Sequence, residues 1–202
     1  MDKLAERKKR RRDPSIEGKR AQAAERRQGS PPATPERLEA AALRYLERYS
    51  ASSAHLERLL LHKVRRSEMQ YSTDAAVGAA FVRGLILRLQ SSGILDDRRY
   101  AEGKAMSLRR RGGSGRSIRA ALAVRGIHGD MAERAILSAD EEHGAEEADL
   151  AAARRLARRR RLGPWRARDR ASHRLKDIAA LGRAGFTYDL ARAVIDGQAD
   201  EG

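Results

Sequence analysis

Apolar residues along this chain return at intervals of three and four in short runs, and glycine, proline or serine separates one run from the next. Leu38, Ala42, Tyr45, Leu46 and Tyr49 share one helical face before Ser50–Ser53 breaks the pattern. Leu56, Leu59, Leu60 and Lys63–Val64 form a second such run, and Val77, Phe81, Leu85, Ile86 and Leu89 a third that ends at Gly93. Side chains three and four apart stack on one face of an α-helix, whereas a strand alternates every second residue. No run keeps strand alternation between hairpin turns, so helices alone are expected.

The segment from Gly93 to Ile127 reads GILDDRRYAEGKAMSLRRRGGSGRSIRAALAVRGI and predicts two helices joined by a glycine break. Asp96 or Asp97 caps the first, its carboxylate accepting the free N–H groups of the opening turn. Tyr100, Ala101, Ala105 and Leu108 line one face. Arg109, Arg110 and Arg111 fall at the negative pole of the helix dipole, and Gly112–Gly113 stops the helix. Ile118, Ala121 and Leu122 make the second helix, closed by Gly126. Asp130 caps a third that carries Met131, Ala135 and Ile136. A last set follows as Glu146–Arg161, His173–Ala184 and Tyr188–Ile195, with breakers at Gly163–Pro164 and Gly185.

The runs repeat. A shift of 59 residues carries Leu122, Gly126, Ile127, Met131 and Ile136 onto Leu181, Gly185, Phe186, Leu190 and Ile195. A shift of 63 in the other direction carries Met106, Leu122, Gly126 and Ile127 onto Leu43, Leu59, Lys63 and Val64. The first helices of the middle and last sets align at an offset of 50, where Asp96, Asp97, Tyr100 and Met106 meet Glu146, Glu147, Leu150 and Leu156. The expected fold is therefore all-α, three tandem three-helix repeats forming an elongated curved array. A basic tail over 1–33 precedes repeats at 34–93, 94–142 and 143–196, and 197–202 forms a short C-terminal tail.

Composition supports helices and points to a polyanionic partner. Among 202 residues there are two Phe, one Trp and no Cys, and the formal net charge is +15. Residues 1–33 carry eleven basic and five acidic side chains, with Leu4 and Ile16 the only strongly apolar ones. Such a tail buries too little to offset its ordering entropy and is expected to be disordered. From Leu150 to Lys176, eleven basic side chains face one acidic residue, Asp169. Arg154, Arg155, Arg158 and Arg161 are expected along one helical stripe that tracks phosphates. No apolar run approaches the ~20 residues that span a bilayer. The charged N-terminus lacks a signal-peptide core, so a cytoplasmic protein with no membrane partner is expected.

Chemistry is harder to find. GGSG around Ser114 superficially resembles a phosphate loop, but a helix precedes it and Arg116–Ser117 stands where the Lys and hydroxyl are needed. His55 and His62 lie two turns apart with no third ligand nearby, so no metal site is expected. Adjacent Asp96 and Asp97 point to different sides of a helix and suit capping better than acid/base work. The absence of cysteine excludes thiolate chemistry. Neither catalysis nor a cofactor is expected.

The Gly93–Ile127 segment resembles the central signature of bacterial RecX regulatory proteins, at Gly93, Asp96, Asp97, Tyr100, Ala101, Gly115, Ile118, Leu122, Gly126 and Ile127. Ile118 follows Gly115 by three residues, a small departure. ALRYLERYSASSAHLERLLLHKV and LKDIAALGRAGFTYDLARAVI look like the family's outer repeats, so the resemblance covers about Pro35–Asp196. Departures are the long basic tail, His62–Lys63–Val64 in place of a glycine, and an arginine-rich insertion in the third repeat. The resemblance implies a non-enzymatic protein, acting as a monomer in recombination, DNA repair and the SOS response. It would bind the RecA recombinase and its single-stranded-DNA filament and inhibit ATP hydrolysis and strand exchange. Arg109, Arg110, Arg111, Arg116 and Arg119, with Arg154, Arg155, Arg158 and Arg161, are the expected contact residues. The alternative is a general basic nucleic-acid-binding protein that competes with RecA for DNA.

Overall fold

A computed structural model describes residues 31–141 and 144–199. The tail expected over 1–33 falls outside these residues except for its last three, and Glu142 and His143 also lie outside them. Among the described residues there are nine α-helices, one 3₁₀ turn and no strand. The helices come in three sets of three: α1 (Pro35–Leu46), α2 (Ser53–Tyr71) and α3 (Ala75–Ser91); α4 (Asp97–Arg110), α5 (Gly115–Ala123) and α6 (Gly129–Ala139); α7 (Gly144–Arg160), α8 (Arg170–Arg183) and α9 (Tyr188–Asp196). The all-α expectation holds.

The described residues divide into two compact units: those up to Tyr45 together with Arg58–Leu85, and Leu46–Glu57 together with those from Ile86 onward. In the first unit, Leu38, Ala42, Leu60, Val64, Val82 and Leu85 are buried. Thr34 opens α1, its hydroxyl accepting the Arg37 N–H at 3.4 Å. Asp74 opens α3, accepting the N–H groups of Ala76 and Val77 at 2.8 and 3.1 Å. One expectation fails here. Lys63 and Val64 do not stop a helix; α2 continues for two further turns to Tyr71 and is followed by Ser72, whose φ is +52°. The left-handed residue that stops a helix is easy for glycine and costly for others. Lys63 brings no such freedom, so the ladder runs on.

The second unit holds two cores. Ala101, Ala105, Ile118, Leu122, Ile127, Ala132, Ala135 and Ile136 form one, inside the middle set. Leu156, Leu162, Ile178, Leu181, Phe186, Val194 and Ile195, with alanines of α7 and α9, form the other. The 59-residue shift is visible in the backbone. Gly126 (φ +80°) and Gly185 (φ +94°) end α5 and α8 alike. Behind each, the next N–H returns to the last buried leucine, Ile127 to Leu122 at 3.1 Å and Phe186 to Leu181 at 3.3 Å. The offset of 50 between α4 and α7 is out of phase, because it pairs Met106, 46% exposed, with buried Leu156.

Caps follow the sequence closely, with one exchange. Asp96 caps α4, accepting from Arg99 N–H at 2.9 Å. Asp97 instead accepts the Ser53 N–H at 2.7 Å and so opens α2. Asp130 is not the cap of α6; His128 holds that position and Asp130 lies in the first turn.

Candidate functional site

Ala101, Ala105 and Arg109 lie on the buried face of α4 at four-residue steps, so the chain carries a guanidinium into the interior. Arg109 was expected on a partner-facing surface and is instead 5% exposed. Its Nε and Nη2 donate to both oxygens of buried Asp140, at 2.7 and 2.6 Å. Its Nη1 donates to the Gly113 carbonyl at 3.0 Å and to Asp149 of α7. Burial opposes the charge, but the hydrogen bonds and attraction of Asp140 and Asp149 outweigh it and raise the Arg109 pKa. The group is a permanent cation enclosed by two carboxylates.

Around it the glycine-rich turn docks the third set onto the middle one. Ser114 caps α5 through the Ser117 N–H at 3.1 Å, and its hydroxyl donates to the Ala184 carbonyl at 2.8 Å. Asp149 also accepts the Gly115 N–H at 2.9 Å. A Cβ on Gly185 would stand 2.5 Å from the Ser114 hydroxyl oxygen, which is why the close approach uses a glycine. GGSG is therefore a joint between sets. Its serine bonds protein backbone.

The other expected arginines separate into kinds. Arg119 pairs with Glu133 through Nε and Nη2 at 2.5 and 2.8 Å on the surface. Arg110, Arg111, Arg116, Arg154, Arg155, Arg158 and Arg161 are exposed. Arg161 does not extend the stripe of α7, because the helix ends at Arg160 and Arg161 takes φ +54°. Arg159, absent from the expected set, donates from Nη1 to the Arg111 carbonyl at 2.8 Å and joins the ends of α4 and α7. Its four-residue spacing from Arg155 was the available signal.

The arginine-rich insertion is less bare than its charge suggests. Arg166 binds both oxygens of buried Asp177, with Nη2 at 2.7 Å. Arg170 donates to the carbonyls of Ile195 and Gly197 at 2.9 and 2.7 Å, closing the end of α9. Arg174 pairs with Asp196 at 2.6 Å through each nitrogen. Burial pushes the Asp177 pKa up, yet the bonds from Arg166 and the Gly163 N–H, with the attraction of Arg166 and His173, leave it below the ordinary value. These side chains hold the third set together.

Among the described residues no group of three or more His, Cys, Asp or Glu side chains is placed to hold a metal ion. No described helix is long and apolar enough to cross a membrane.

No protein-family model matches the chain. Regulatory protein RecX of Myxococcus xanthus (strain DK1622) is 41% identical to it over 165 residues, covering 81% of this chain and 86% of the relative. The chain belongs to the RecX family. A solved structure, described as the crystal structure of regulatory protein RecX, matches the fold with a TM-score of 0.54. It is 19% identical and covers 81% of this chain and 74% of that one, a likeness of fold alone. RecX membership agrees with the resemblance seen in the Gly93–Ile127 segment. There Asp96 caps a helix, Ile118, Leu122 and Ile127 fill a core, and Gly126 stops a helix.

Proposed function

We propose that this RecX-family chain is a non-enzymatic regulator that binds the RecA recombinase and its single-stranded-DNA filament, and inhibits RecA ATP hydrolysis and strand exchange. The observation that carries the reading is the 41% identity to a regulatory RecX protein across most of both chains. The exposed arginines at the ends of α4 and α7 supply the means. They meet the filament through phosphate or acidic protein surface, as guanidinium forks suit both. The protein acts in the cytoplasm as a monomer.

Purified full chain added to RecA on single-stranded DNA should suppress ATP hydrolysis at amounts near or below that of RecA. No suppression at low salt by folded protein would sink the reading. The net charge of +15 favours a second one, a general nucleic-acid binder that only competes for DNA. Binding through phosphates alone collapses as salt rises, because released counterions drive it. Association with RecA in the absence of DNA therefore separates the regulator from the competitor.

A further inference from the structure

Only one side of α7 meets the middle set. A Cβ on Gly112 would stand 2.8 Å from the Ala152 carbonyl oxygen and 3.0 Å from the Leu156 nitrogen. That nitrogen closes the peptide bond from Arg155, so the Arg155 backbone passes beside Gly112, the residue after Arg111. Arg159 follows one turn later, about 6 Å along the helix, and donates to the Arg111 carbonyl. Three exposed arginines from two sets thus converge at one junction. Arg109, Arg119, Arg166 and Arg174 all have carboxylate partners. Arg111, Arg155 and Arg159 have none among the described residues.

Like charges gathered this way repel, so something else must hold the two sets in register. That element lies earlier on the same helix, α7. Asp149, on α7 six residues before Arg155, binds the Arg109 guanidinium and the Gly115 N–H together. It therefore fastens α7 to both α4 and α5. We propose that the Arg109–Asp149 contact is a positioning device for a phosphodiester-binding patch built by Arg111, Arg155 and Arg159, which neither set makes alone. A phosphodiester strand offers a regular row of singly charged, fork-accepting groups, and guanidiniums without carboxylate partners, two of them one turn apart on α7, match it. The proposal rests on the reading of these arginines as polyanion-facing.

Charge and position predict opposite results for one substitution. Asp149→Ala removes a negative charge near the patch, which by electrostatics alone tightens binding to DNA. If Asp149 positions the patch, the same change weakens it. The test is fluorescence anisotropy of labelled oligo(dT) with the full chain, without RecA, across a salt series. Arg155→Ala/Arg159→Ala should weaken binding and lower the salt slope by about 1.4, at about 0.7 per phosphate contact on a single strand. Asp149→Ala should weaken binding roughly three- to tenfold, the scale of a lost phosphate contact, and lower the slope too. Asp149→Asn keeps an oxygen for both donors and should restore binding to at least the parent level.

Tighter binding by Asp149→Ala, equal to that of Asp149→Asn, overturns the positioning role and leaves the patch standing. Unchanged oligo(dT) binding by Arg155→Ala/Arg159→Ala overturns the patch itself; if RecA inhibition is lost in that variant, its arginines meet protein. Should Asp149→Ala fail to fold by circular dichroism, Gly112→Ala serves in its place. It changes no charge and forces Arg111 away from α7, so unchanged affinity and slope in that variant refute the proposal.

Discussion

Arg109 and Arg110 are neighbours with opposite fates, and phase alone separates them. Arg109 continues the buried step of Ala101 and Ala105, while Arg110 turns to solvent. Removing one member of a buried ion cluster strands the others, at a cost of about 3–5 kcal/mol. Arg109→Met should lose about that much stability in urea unfolding, whereas Arg110→Met should stay within about 0.5 kcal/mol of the parent. The sequence makes the phase readable, since four-residue steps are explicit in it. It hides the partners, because Asp140 and Asp149 lie 31 and 40 residues away and look like ordinary acids near a turn. Arg159 was obscured for the same reason: its acceptor is a backbone carbonyl in another set. Asp177 adds a pH signature. Its folded pKa lies below the ordinary 3.8, so its contribution is complete above that value and is lost as pH falls through the folded one. The stability difference between the parent and Asp177→Asn should therefore shrink below about pH 4. A difference that stays constant down to pH 2 would refute this assignment.

At the scale of elements, the helices and most of their ends are written in local sequence. Asp96, Ser114 and Thr187 cap as their residue types lead one to expect, and Gly126 and Gly185 end their helices by the same left-handed turn. A repeat position that lacks a stop residue does not end a helix. Lys63 occupies the repeat position of those glycines but sits in the interior of a 19-residue helix. Lys63→Gly should accordingly destabilise the chain by about 1 kcal/mol, the cost of glycine at an exposed helical site. Were a turn encoded there, the change would be neutral or favourable. Thermal melting followed by far-UV circular dichroism distinguishes the two. The α4–α7 alignment failed differently. Alanine-rich helices tolerate several registers, and which alanine is buried was settled by Arg109, Gly112 and the neighbouring set.

For the whole molecule, a charge of +15 is a poor guide to where a polyanion lies. Much of the arginine content closes helix ends or meets carboxylates, as at Arg166, Arg170 and Arg174. The remaining basic side chains are spread over the chain, and the segment over residues 1–30 and the junction patch are two of their concentrations. Deleting residues 1–30 removes eleven basic and five acidic side chains. It should lower affinity for single-stranded DNA and flatten its salt dependence. The loss caused by Arg155→Ala/Arg159→Ala should persist on the shortened chain if the junction binds on its own account. If the deletion abolishes DNA binding altogether, the segment carries it and the junction does not.

The Arg109 cluster also bears on how such a chain can change its length. Tandem units invite duplication or loss, because each is taken to be complete within itself. Here the middle set contains a buried cation matched in charge by its own Asp140 and bonded in addition by Asp149, which belongs to the next set. Excising the third set would take one carboxylate from the Arg109 Nη1 and uncover the turn at Gly112. Inserting a copy between the two would have to bring its own equivalent of Asp149. One enclosed guanidinium thus ties the order of the last two sets to the contacts between α4 and α7.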